Sequence, residues 1–109
     1  KILFFETSED KPTPSQIKCM LRNYGTKEVY DKIEGLIFGR PRSYSNEEKK
    51  ELEENILKIV AEEFGRSEMP IVTNVDFGHT DPQLIFPLGI KAEINPKKKS
   101  ISLLENWIL

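Results

Sequence analysis

Cysteine and histidine occur once each in the 109 residues, as Cys19 and His79. One cysteine cannot form an internal disulfide, and a lone histidine beside a lone cysteine excludes the familiar His and Cys ligand sets of zinc sites. No apolar run approaches the roughly 20 residues of a membrane span, and no basic leader with an apolar core opens the chain. The expectation is a protein with no membrane partner, cytoplasmic or already processed. Charge of one sign is also missing. Sixteen basic against eighteen acidic residues leave a net charge of -2, which offers nucleic acid no electrostatic footprint. Internal repeats and low-complexity segments are absent too, which sets aside solenoids and disordered tails.

What is present is the composition of a globular protein, 38% hydrophobic and 31% charged, at a length that suits one domain. Lys1 leads directly into Ile2, Leu3, Phe4 and Phe5, so the chain starts at or inside a strand, as a piece of a longer protein would. That apolar run is too short for a helix and reads as a strand buried on both faces. Thr13 followed by Pro14 starts a helix, with Ile17, Met20, Leu21 and Tyr24 at helical spacing, Cys19 as a small buried hydrophobe, and Gly25 as the stop. A short amphipathic turn runs through Val29, Tyr30 and Ile33, and residues 35 to 39 form a second short buried strand.

Gly39-Arg40-Pro41-Arg42-Ser43-Tyr44 is a loop, and Ser45 or Asn46 caps the longest helix. Leu52, Ile56, Ile59, Val60 and Phe64 line one face of it, and Gly65 closes it. Residues 46 to 63 hold seven glutamates and three lysines, a solvated face with four excess negative charges. Residues 70 to 75 make a third strand. The order strand, helix, strand, helix, strand predicts parallel pairing through right-handed crossovers. Beyond it, residues 84 to 86, 90 to 94 and 100 to 104 read as shorter strands, with Asn95-Pro96 and three lysines forming a hairpin turn. The expected fold class is α/β: a small mixed sheet with a parallel βαβαβ core and an antiparallel C-terminal β hairpin, swivelling-domain-like.

In a parallel sheet ligands bind at the carboxyl ends of the strands. Glu6, after the first strand, and His79, after the third, both fall at that edge. A glutamate bonded to one imidazole nitrogen fixes the tautomer and leaves the other nitrogen free as a general base. A surface-loop histidine and an ordinary strand-end glutamate would share this spacing, so both readings stand. The pair also needs a nucleophile, and no Ser, Cys or Thr lies in an elbow such as Gly-x-Ser-x-Gly. Thr7 and Ser8 read as loop hydrogen-bonders, and Asp76 and Asp81 as turn residues.

Four segments in order carry a resemblance: Ile2 to Glu9 (ILFFETSE), Gly35 to Pro41 (GLIFGRP), Pro70-Ile71-Val72 leading into Phe77-Gly78-His79, and Pro87-Leu88-Gly89. Together they are similar to the C-terminal domain of the LD-carboxypeptidase family of serine peptidases. The resemblance implies that the whole chain, residues 1 to 109, is the C-terminal domain of a two-domain peptidase. It implies that Glu6 and His79 complete a triad whose serine lies in an absent N-terminal domain, and that the isolated chain is inactive. Glu9 is the rival to Glu6 for the acidic role. Arg40, with Arg42, is a candidate for binding a substrate carboxylate or phosphate, and a solvated basic loop is the competing reading.

The Gly39-Arg40-Pro41 segment is more similar to the branch related to the microcin C self-immunity protein than to the murein-recycling carboxypeptidases. The implied substrate is a peptidyl-nucleotide or a muropeptide, both cleaved at an amide. The implied partners are the N-terminal domain of the same parent and a second copy of the full-length protein, with no cofactor or metal. A non-catalytic binding or assembly domain of the same fold is the alternative. Tyr44 and Trp107 are expected at a domain or subunit contact, Trp107 within a tail running to Leu109.

Overall fold

Leu36, Ile37 and Phe38 occupy the central strand of the computed structural model, which describes residues 1–108. This strand, β2 (Gly35–Gly39), is buried at every residue because a parallel neighbour lies on each side. β1 (Ile2–Phe5) pairs with it from Ile2 against Gly35 to Phe5 against Phe38, and β3 (Ile71–Val75) pairs along the other edge. The pairing with β3 slips between Ile37 and Gly39, a bulge at the carboxyl end of the sheet.

Helix α1 (Pro14–Thr26) follows β1, and helix α2 (Asn46–Ile56) follows β2 and widens into a π-helical stretch, Leu57–Glu63. Both begin on the capping arrangement that their sequences announce. The Thr13 and Ser45 hydroxyls accept from the main chain of Gln16 and Glu48, whose side chains reach back to the cap amides. The strands run parallel in the order β1-β2-β3 and the two helices pack against each other on one face of the sheet, the arrangement that two crossovers of the usual right hand produce. Leu36 and Phe38 point to that face, into a core with Ile17, Leu21, Ile56, Ile59 and Val60. Burying a side chain of this size stabilises the fold by about 1.5–3 kcal/mol. Tyr30, in a 3₁₀ turn (Val29–Lys32), is also buried, and its hydroxyl donates to Leu21 O at 2.7 Å.

The antiparallel hairpin is present as a separate two-stranded sheet, β4 (Ala92–Asn95) against β5 (Ser100–Leu103). Residues 84 to 86 are not a strand, because no neighbour offers them a ladder. Leu84 and Ile85 stand 61% and 79% exposed. β1 is not sealed on both faces either. As an edge strand its second face is only partly covered, and Phe4 remains 36% exposed.

Gly25 does not end α1. It lies buried inside the helix, where a Cβ would run into the Phe64 ring, so the glycine permits close packing and the helix continues to Thr26. Gly65 does close the second helix, at φ +67. Cys19 is exposed on the polar side of α1 rather than buried. Tyr44 is buried, with its hydroxyl donating to the Pro12 carbonyl, so it serves the core of this domain instead of a surface contact. Trp107 is partly exposed, and Leu109 lies outside the described residues. Among the described residues no helix is long and apolar enough to cross a membrane.

Candidate active site

Glu6 is the first residue beyond β1, and its height along the sheet follows from the pairing of Phe5 with Phe38. That register sets Glu6 beside Gly39, the last residue of β2. A Cβ on residue 39 would fall 3.3 Å from Glu6 Cβ and 2.8 Å from the Phe77 carbonyl, so glycine lets the strand end and the loop after β3 converge. Gly78 completes the approach from above. Its φ of +84 suits glycine, and a Cβ there would lie 2.7 Å from both Cβ and Cδ of Glu6. Phe77 anchors the same loop under the sheet, edge-on to Phe4 at 5.6 Å and to Phe86 at 4.9 Å.

These constraints bring Glu6 and His79 together across 73 residues of sequence. Glu6 Oε2 accepts the main-chain N–H of His79 at 2.8 Å and lies 2.7 Å from its Nδ1. A carboxylate only accepts, so Nδ1 carries the hydrogen and the neutral ring keeps its lone pair on Nε2. Hydrogen bonding to Glu6 and the charge of Glu6 hold the His79 pKa above its usual 6.5; Glu9 adds to the rise, and burial and Arg42 oppose it. Glu6, rather than Glu9, makes the contact. Both side chains stay accessible, His79 at 43% and Glu6 at 36%.

The pair opens into a cleft of about 870 Å³, also lined by Arg40, Arg42, Tyr44, Lys49, Thr80 and Gln83. Its rim is basic. Arg40 lines the cleft, but its Nε is paired with Asp76 Oδ1 at 2.8 Å and its Nη2 donates to the Asp81 carbonyl at 3.2 Å. Asp76 is therefore an ion-pair partner as well as a turn residue. Thr80 Oγ1 is buried without a hydrogen-bond partner among the described residues, and so is Thr7 Oγ1, so Thr7 is not the loop hydrogen-bonder expected. Among the described residues His79 hydrogen-bonds to Glu6 alone, and no hydroxyl or thiol stands at Nε2. Sequence reasoning missed Lys49, which enters from the first turns of α2. Its one legible signal was the Ser45 cap, which directly follows the loop that leaves the sheet's carboxyl edge.

The chain thus joins a carboxylate and an imidazole at the carboxyl edge of a parallel three-stranded sheet. The LD-carboxypeptidase C-terminal domain model matches residues 1–94, and the chain belongs to that family. It is 29% identical over 108 residues to the microcin C7 self-immunity protein MccF of Escherichia coli, covering 98% of this chain and 30% of that protein. It is 31% identical over 71 residues to a Treponema pallidum (strain Nichols) protein provisionally named a carboxypeptidase, covering 65% of this chain and 20% of that one. Its fold superposes with a TM-score of 0.78 and 34% identity on an MccF-like protein from Streptococcus pneumoniae crystallised in complex with AMP, covering 94% of this chain and 28% of that one. The chain thus spans less than a third of the length of each of these proteins.

Proposed function

We propose that this chain is the C-terminal domain of a two-domain serine peptidase, and that it supplies Glu6 and His79 to a Ser-Glu-His triad that hydrolyses an amide in a peptide-like substrate. The observation that carries this reading is the two-point contact of one Glu6 oxygen with the His79 amide and Nδ1. Such a contact fixes both the position and the tautomer of the ring. In the reaction His79 Nε2 takes the proton from a serine on the N-terminal domain as its oxygen attacks the amide carbon. Glu6 stabilises the imidazolium that results. The same nitrogen then delivers the proton to the leaving amine as the C–N bond breaks, and water releases the acyl group by the reverse proton path.

The basic rim of Arg42 and Lys49 suits a substrate with a carboxylate or phosphate. The names of the relatives favour the peptidyl-nucleotide substrate over the muropeptide, since one is a microcin C7 self-immunity protein and an MccF-like neighbour was crystallised with AMP. Arg40 enters this proposal as a rim residue already engaged by Asp76 and Asp81. The parent protein is expected in the cytoplasm as a homodimer. A purely binding or assembly role is less well supported, because such a role requires no joined carboxylate and imidazole.

The test compares three proteins on a muropeptide and on a peptidyl-aspartyl nucleotide amide. The parent is expected to cleave at least one, the 109-residue chain alone to cleave neither, and the parent carrying His79→Ala to lose roughly 10²- to 10⁴-fold in kcat. Undiminished activity in the His79→Ala parent would overturn the reading.

A further inference from the structure

Arg40 stands where β2 ends, and it reaches the His79 loop on both of its flanks. Its main-chain N–H donates to Val75 O at 2.7 Å, its Nε donates to Asp76 Oδ1 at 2.8 Å, and its Nη2 donates to Asp81 O at 3.2 Å. Asp76 lies three residues before His79 and Asp81 two residues after it. A guanidinium can hold both because its donors fan out in one rigid plane, whereas a lysine ammonium is a single point of charge. The loop's other ties are the buried Phe77 ring against Phe4 and Phe86, Phe77 N–H to Val75 O at 2.8 Å, Leu84 N–H to Asp76 O at 2.5 Å, and the Glu6 contacts themselves; of these hydrogen bonds, none apart from those of Glu6 reaches residues 78 to 81.

We propose that Arg40 is a positioning residue that brackets residues 76 to 81 and thereby keeps His79 seated on Glu6. The proposal rests on His79 as the base only for its catalytic consequence; the bracketing of the loop stands without it. It departs from the expectation that Arg40 reads the substrate, and the two roles leave different signatures. A reader of substrate changes KM, while a bracket changes kcat, since a base displaced by about an ångström costs on the order of 100-fold in rate with binding little altered.

The first measurement is an NMR titration of the His79 ring in the 109-residue chain and in its Arg40→Met and Arg40→Lys variants. The charged groups around that ring are Glu6 and Glu9, which favour the imidazolium, and Arg42, which disfavours it. Removing a cation as such raises a neighbouring histidine's pKa, and so does leaving Asp76 unpaired. Losing the Glu6 contact lowers it. Bracketing therefore predicts a fall toward 6.5 in Arg40→Met and a smaller fall in Arg40→Lys, which keeps the charge but not the fork. An unchanged or raised midpoint in Arg40→Met overturns the proposal. If that variant does not fold by circular dichroism, Arg40→Lys decides by the same signs.

The second measurement is steady-state kinetics of the parent protein. Arg40→Met is expected to lower kcat at least tenfold with KM within about twofold, and Arg40→Lys to recover part of the loss. A raised KM at unchanged kcat overturns the proposal and makes Arg40 a substrate contact. If His79→Ala leaves the parent fully active, the triad reading fails while the titration still judges the bracket.

Discussion

Residues 1 to 75 fold around Leu36, Phe38, Ile59 and Val60, all buried, whereas residues 76 to 108 leave Leu84, Ile85 and Leu88 exposed at 61, 79 and 76%. The first region is held by hydrophobic burial between a sheet and two helices. The second is held by a two-stranded hairpin, an aromatic trio of Phe4, Phe77 and Phe86, and a few polar ties around Arg40. Glu6 belongs to the first region and His79 to the second. An imidazole whose partner is fixed by a packed strand needs little of its own loop beyond correct placement; Gly39 and Gly78 permit that placement, and the proposed Arg40 bracket would hold it.

Replacing Leu36 with Ala should lower unfolding free energy by about 2–5 kcal/mol, because the cavity opens where β2 meets both helices. Ile85→Ala should change it by less than about 0.5 kcal/mol. Urea denaturation of the two variants measures the contrast, and equal losses would break it.

Gly78→Ala sits at the seam. The positive φ and the approach to Glu6 should destabilise the protein by about 1–3 kcal/mol and move the His79 midpoint down toward 6.5, because the Glu6 contact must open. Thermal unfolding together with the NMR titration reads both effects. A stable Gly78→Ala protein with an unshifted histidine would mean that the loop has room the packing denies.

The smallest effect is the pH dependence of the pair itself. His79 has a raised pKa in the fold, so its contribution to stability is fully present below its unfolded value near 6.5 and is lost as pH rises through the folded value. Glu6→Gln removes the charge that causes the rise. The titration midpoint should drop toward 6.5 and the slope of stability against pH above 6.5 should flatten. If Glu6→Gln and the unaltered chain titrate together, the contact is not maintained in solution.

Much of the first region was legible in the residues. Thr13 and Ser45 cap their helices because a hydroxyl one residue before a helix meets free amides whatever the tertiary setting. The second region was less legible: Leu84 to Phe86 has the composition of a strand, yet a strand needs a neighbour, and none is built beside it. Gly25, Cys19 and Tyr44 were misread for a related reason. A glycine near a helix end, a lone thiol and a loop tyrosine have no periodic pattern that tells which neighbour they face. Phe64, solvent and Pro12 supply the answers from outside their own segments.

Local chemistry written in the chain was enough to determine the alternation of strands and helices, the carboxyl edge as the place for a site, and Glu6 and His79 as its candidates. That Glu6 rather than Glu9 meets the imidazole, and that Arg40 pairs with Asp76, was decided only when strand register and two glycines closed distances spanning 36 to 73 residues. Hydrogen bonds act over about 3 Å, and no spacing along a chain specifies that length until the sheet has aligned its strands.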